Sequence, residues 1–178
     1  MCQIDSVDII VPHFNGSHLI DRLLRSIPNE PWINIYVVDD HSTKEHLETL
    51  MFKCKSYQNL HILKVPNGQK GPGVARNFGI EQSKSKWILF ADVDDYYTPN
   101  AFIKISEAMA LNKDITYFLP TSEVLETKQI GQRHIHYQNL FKHFKNNQDK
   151  KVFYRFFAPW SKLLSRALIE QNSIYFDN

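Results

Sequence analysis

A chain of 178 residues has room for one domain with a sizeable core and is short for two. A 43% hydrophobic and 22% charged composition excludes a disordered chain, and a formal net charge of only +2 gives no reason to expect a nucleic acid as partner. Two cysteines, Cys2 and Cys54, make no disulfide framework and suit a reducing, cytoplasmic setting. Asp5 and Asp8 interrupt the N-terminal apolar residues, so no signal peptide is read. No run approaches a membrane span, which leaves only peripheral contact with the inner face of a membrane open.

Val7-Asp8-Ile9-Ile10-Val11 is a β-branched run stopped by Pro12, the pattern of a buried parallel strand. After His13-Phe14-Asn15-Gly16, Ser17 is expected to cap a helix with Leu19, Ile20, Leu23, Leu24 and Ile27 at helical spacing. Ile33 to Val38 reads as a second strand ending in Asp39-Asp40-His41-Ser42-Thr43, followed by a helix from about Lys44 to Lys53 and a third strand at Leu60 to Val65. Gly68, Gly71 and Gly73 mark a loop before a helix at Val74 to Gln82. Trp87-Ile88-Leu89-Phe90-Ala91 is a fourth strand running into Asp92, Asp94 and Asp95, and Ala101 to Leu111 is an amphipathic helix.

Four βα units in about a hundred residues imply an α/β fold with a doubly wound, mostly parallel sheet, in which ligands bind beyond the carboxyl ends of the strands. The polar clusters Phe14-Asn15, Asp39-Asp40, Asn67-Gly68 and Asp92 to Asp95 all fall at predicted strand ends. After Ile115 to Leu119 the alternation stops. Ser122 to Lys128 and Gln132 to Tyr137 read as two strands around a Gly131 turn, Lys142 to Lys151 as a solvated polar break, and Trp160 to Gln171 as helical. His134 and His136 would then share an exposed strand face.

Carboxylates ~4 Å apart repel by ~1 kcal/mol in water and ~4 kcal/mol when partly desolvated. Three at one strand end therefore invite a hard divalent cation, Mn²⁺ or Mg²⁺, which takes one or two carboxylates and completes its shell with phosphate and water oxygens. The plainer alternative is an acidic first turn for the next helix. Asp92 can instead hold a ribose hydroxyl, leaving Asp94 as the one direct protein ligand. Asp39 and Asp40 stand where a base would lie and can accept from an imide N–H such as that of uracil, with Phe14 stacking on the base. Phe14 is otherwise a core aromatic. Lys70-Gly71-Pro72-Gly73-Val74-Ala75-Arg76-Asn77 is a glycine-rich loop entering a helix, but not a mononucleotide P-loop. Arg76 reaches phosphate or the acidic residues if it points back, and is a surface arginine if it does not.

Ile9 to Asn15, Val37 to Thr43, Gly73 to Ile80 and Phe90 to Asp95 resemble, in order and separation, four successive motifs of family 2 glycosyltransferases. Ala158 to Leu163 is similar to that family's Trp-x-Lys-Leu segment. The resemblance implies a GT-A fold, Rossmann-like, in a single domain over 1–178, with a nucleotide-sugar-binding half at 1–112 and a small irregular acceptor-side half at 113–178. It implies that Pro12, Phe14, Asn15, Asp39 or Asp40, Gly71 and Arg76 line the nucleotide pocket, and that Asp92 and Asp94 hold the donor diphosphate through Mn²⁺ or Mg²⁺. The expected reaction inverts the anomeric centre of a nucleotide sugar, a UDP-sugar first, onto a saccharide or lipid-linked acceptor in polysaccharide or glycolipid synthesis. The catalytic base is expected beyond Asn178, so a C-terminally truncated fragment is expected. His41 stands in place of a common glycine. Three other readings are weighed: a nucleotide-sugar-binding fragment without catalysis, a sugar-1-phosphate nucleotidyltransferase and a phosphoreceiver module. The second wants a basic, glycine-rich loop after the first strand and the third an isolated Asp after the third strand, neither of which is present.

Overall fold

The structure, a computed structural model, describes residues 5–124, 127, 129–156 and 158–177. Cys2, three residues of the expected Ser122–Lys128 strand, and Asn178 lie outside the described residues. Strands β1 (Val7–His13), β2 (Ile33–Asp39), β3 (Leu60–Lys64) and β4 (Trp87–Phe90) are parallel, connected by helices α1 (Ile20–Ser26), α2 (Lys44–Cys54) and α3 (Pro72–Gln82). Helix α4 (Ala101–Ala110) leads to β5 (Ile115–Tyr117). The helix α5 (Arg133–Asn147) and two 3-10 turns precede β6 (Lys162–Ser165) and α6 (Arg166–Gln171). The six-stranded sheet has the order β3-β2-β1-β4-β6-β5, with β6 antiparallel to both neighbours.

Both faces of the central strands are covered, so their sequences are near-continuous apolar runs. Ile9, Val11, Ile35, Val37 and Leu89 face α1, α2 and α4, whereas Ile10, Val38, Ile88 and Phe90 face α3 and α6. Gly79 of α3 lies so close to Ile10 and Val38 that a Cβ there would collide with the Ile10 side chain, which brings α3 down onto the sheet. At the amino edge Asp8 is fully buried and accepts from Lys84 N, Ser85 N, Ser85 Oγ and Asn34 Nδ2, with Arg166 Nη2 at 3.6 Å. That network ties β6 and α6 to the parallel half.

Four local expectations are corrected. Ser17 does not cap α1: the helix starts at Ile20 and the Ser17 hydroxyl lies 2.9 Å from His46 Nδ1. The second strand of the expected hairpin is helix α5, and among the described residues of that segment Glu123 and Ile130 form a single bridge. Tyr137, Leu140, Phe141 and Phe144 recur at helical spacing and pack with Val152, Phe153, Phe156 and Trp160 in an aromatic cluster, which overrides the alternation around His134. Residues i and i+2 of a helix point apart, so His134 and His136 share no face. The expected polar break is the C-terminal end of α5 and the start of the 3-10 turn at Lys150–Arg155, with Lys142, Lys145, Lys150 and Lys151 exposed. The expected helix from Trp160 opens instead with a 3-10 turn at Pro159–Ser161 and a strand at Lys162–Ser165, which fills the gap between β4 and β5, and only Arg166–Gln171 is helical. Ser165 then caps α6 by accepting from Leu168 N.

Candidate functional site

At the ends of β1 and β2 the two adjacent aspartates have different surroundings. Asp39 is buried and fully engaged: Oδ1 lies 2.9 Å from His13 Nδ1, and Oδ2 accepts from Ser42 N. Asp40 accepts from Gly71 N at 2.8 Å through Oδ2, while its buried Oδ1 has no partner among the described residues. Gly71 adopts φ +118°, a conformation that favours glycine, and delivers that N–H from the start of α3. Phe14 is not a core residue: its ring is 54% exposed, with Lys70 Nζ 5.6 Å from its centroid. Asn15 works locally, donating N–H to Ser42 Oγ and accepting Thr43 N on Oδ1. Pro12 is half-buried in β1 opposite Val38. His41, at φ +60°, is held by its ring nitrogen 2.9 Å from Gln69 O.

On α3, Arg76 points back to the strand ends. Its Nη2 donates to Asp92 Oδ1 at 2.6 Å, its guanidinium carbon lies 5.3 Å from the Phe176 ring centroid, and its buried Nε has no partner among the described residues. Phe176 is placed by Asn77, whose amide donates to Phe176 O and accepts from Phe176 N. A Cβ on Gly73 would collide with the Asp177 carbonyl.

The acidic residues are not the first turn of α4, which begins at Ala101 after an Asn100 cap and carries no acidic residue in its first turn. Asp94 is exposed, and its carboxylate has no hydrogen-bond or ion-pair partner among the described residues. Burial, then the charges of Asp92 and Asp94, push the Asp95 carboxyl up to about 6. A Cβ on Gly16 would meet Val93 at 2.9 Å, so the loop after β1 packs directly on the acidic loop. The ends of β1, β2 and β4 therefore bring Phe14, Asp40, Arg76, Asp92 and Asp94 to one edge of the sheet. Among the described residues no three His, Cys, Asp or Glu side chains gather as a metal cage. The unneutralised Asp94, with Asp92 beside it, suits a cation that takes one or two carboxylates and finds its other ligands elsewhere.

A cavity of about 460 Å³ opens on the other side of the acidic loop, bordered by Asp94, Asp95, Tyr97, Glu123, Arg133 and Trp160. It touches none of Pro12, Phe14, Asp40, Arg76 or Asp92 and so lies beside the edge just described. The hydroxyls of Tyr97 and Ser161, both bordering it, are buried and have no hydrogen-bond partners among the described residues, and burial lifts the Tyr97 phenol far above its ordinary value.

Sequence reasoning missed Asn77, Phe176, Lys70, Arg22 and Glu123. Lys70 and Asn77 stood within the glycine-rich stretch and were readable there. Nothing in the sequence pointed to Arg22 or Glu123, whose meeting is tertiary.

The model of Glycosyl transferase family 2 matches residues 8–172. Poly(ribitol-phosphate) beta-glucosyltransferase of Bacillus spizizenii is 33% identical over 102 residues, 55% of this chain and 16% of that protein. Poly(ribitol-phosphate) beta-N-acetylglucosaminyltransferase TarS of Staphylococcus aureus is 28% identical over 179 residues, 94% of this chain and 29% of that protein. The crystal structure of S. aureus TarS 1-349 in complex with UDP-GlcNAc aligns with a TM-score of 0.66 at 23% identity, covering 97% of this chain and 48% of that one. Mannosyltransferase PcManGT from Pyrobaculum calidifontis, in complex with GDP-Man and Mn²⁺, gives 0.65 at 16% identity over 96% and 47% of the two chains. These structural likenesses establish a shared GT-A fold. The chain spans less than a third of those two curated relatives and about half of the solved chains. With its model matched over nearly the whole length, the chain belongs to glycosyl transferase family 2.

Proposed function

We propose that residues 1–112 bind a nucleoside-diphosphate sugar, a UDP-sugar first, and that residues 113–178 contribute to the acceptor side of an inverting, metal-assisted glycosyltransferase. The observation that carries this reading is the idle pair beyond β1 and β2. Asp40 keeps a buried oxygen with no donor among the described residues, and Phe14, at the end of the neighbouring strand, leaves its ring exposed. A buried acceptor left unmade costs about 1–3 kcal/mol, so the site favours a ligand that supplies an N–H. A uracil does so through its imide while stacking on Phe14. Asp39, fully engaged with His13 and Ser42, sets the loop geometry.

The diphosphate would then reach the Arg76 and Asp92 pair, where the idle Arg76 Nε supports a further contact to an anion. Asp94, with Asp92, would hold Mn²⁺ or Mg²⁺, and such an ion stabilises negative charge on a departing diphosphate. The cavity behind Asp94 suits a saccharide or lipid-linked acceptor whose hydroxyls meet Tyr97 and Ser161. As the sugar moves, a carboxylate base takes the proton of the attacking hydroxyl. Among the described residues no helix is long and apolar enough to cross a membrane. We infer action in the cytoplasm, at the inner face of the membrane when the acceptor is lipid-linked.

Isothermal titration tests the donor site. UDP is expected to bind more tightly with Mn²⁺ than with EDTA, and Asp94→Ala to remove that difference without altering the circular dichroism spectrum. Equal affinity in Mn²⁺ and EDTA for the unaltered chain overturns the metal assignment.

A further inference from the structure

We propose that Arg22, on α1, is a positioning residue for Asp94, acting in a closed ring of contacts with Tyr96 and Glu123. The inference rests on the donor-site reading above. Arg22 Nη2 donates to the Asp94 carbonyl at 3.1 Å, and Nη1 donates to Glu123 Oε1 at 3.2 Å. The guanidinium carbon lies 4.3 Å from the Tyr96 ring centroid, and the Tyr96 hydroxyl donates to Glu123 Oε2 at 2.8 Å. Three parts of the chain meet there: α1, the loop after β4, and the segment after β5. A planar guanidinium can serve two acceptors and a ring at once, which an ammonium cannot.

The choice of atom is the informative detail. An arginine paired with the Asp94 carboxylate would compete with a cation for it. Arg22 takes the carbonyl instead and directs its charge to Glu123, so it fixes the Asp94 backbone while leaving the side chain unneutralised. Arg76 grips the other end of the same loop through the Asp92 carboxylate. Between these two arginines the loop has modest support of its own, a turn from Asp95 N to Asp92 O and a bond from Tyr97 N to Ser26 Oγ. Each exposed contact in the ring is weak alone, but together they restrict where the Asp94 carboxylate can be. Glu123 also borders the cavity, so the ring ties the cavity wall to the cation site.

The test compares UDP affinity in Mn²⁺ and in EDTA, with the electron paramagnetic resonance of bound Mn²⁺ as a second readout. Arg22→Met, which keeps the apolar stem, should leave affinity in EDTA unchanged and cut the Mn²⁺ enhancement about tenfold, the low end for groups that orient metal ligands. Arg22→Lys should recover only part of it. If Arg22→Met does not fold, Tyr96→Phe, which opens the ring at an exposed hydroxyl, carries the test with a smaller loss in the Mn²⁺ arm alone. Full retention of the enhancement in the folded variants overturns the proposal, as does an equal loss in both arms, the signature of a merely structural role. An unaltered chain that binds UDP equally in Mn²⁺ and EDTA removes the metal assignment, and this inference with it, while leaving UDP binding in place.

Discussion

The two halves of the chain are packed with different material. Through α4 the core is mainly aliphatic, Val, Ile and Leu from continuous strands layered against α1 to α4, with Trp87, Phe90 and Phe102 as its buried rings. Beyond β5 a second cluster is built from rings, with Tyr137 and Phe156 centred 4.5 Å apart and Tyr117 and Phe153 4.6 Å apart. A hydrogen-bonded parallel sheet sets fixed spacings between strand ends, which suits groups that must grip a ligand at defined separations. Rings on one helix and two short turns set no such lattice. They shape a wall, and Trp160 carries that wall to the cavity.

Substitutions in each half test whether this division holds. The largest expected effect is in the first half and away from the candidate site. Asp8→Ala leaves Lys84 N and Ser85 N without their buried acceptor and Arg166 without its buried counter-charge, and should cost about 3–5 kcal/mol in denaturant unfolding. A loss under about 1 kcal/mol would show that the amino-edge network is dispensable. Next, Phe156→Ala should cost about 3 kcal/mol and leave UDP affinity unchanged, with hydrogen exchange rising first around α5. A parallel loss of UDP binding would contradict the separation of the two halves. Phe14→Ala should do the converse, weakening UDP by about 1–3 kcal/mol with no change in melting temperature.

The smallest effect concerns Asp95. A carboxyl held up at about 6 is preferred protonated in the folded chain, so its penalty is absent below the ordinary value near 3.8 and grows as pH rises through about 6. Asp95→Asn should therefore add about 1–2 kcal/mol of stability at pH 7, allowing for solvent screening, and nothing near pH 3. Unfolding curves at the two pH values check it.

The same division governs how much could be read from the residues alone. β1 to β4 and their helices announce themselves through local periodicity, and the strand-end rule alone puts Phe14, Asp39, Asp40 and Asp92 to Asp95 on one edge. The direction of Arg76 was left open, because which way a helical arginine turns depends on its partner, Asp92. The separate surroundings of Asp39 and Asp40 were also hidden, since His13 and Gly71 come from distant stretches. In the second half, histidine alternation beside Gly131 imitated a hairpin, while the helical repeat of Tyr137, Leu140, Phe141 and Phe144 was present but set among polar residues. β6 could not be read at all: four residues become a strand only because β4 and β5 leave a gap.

Asn77 has a mechanical consequence. Its side-chain amide imitates one rung of a β-ladder, giving and taking a hydrogen bond with the main chain of Phe176. The tail of the described chain is thereby riveted to α3 at the residue next to Arg76. Any pull or rotation transmitted along Tyr175 to Asp177 thus acts one peptide unit from the guanidinium, making α3 a lever between the two.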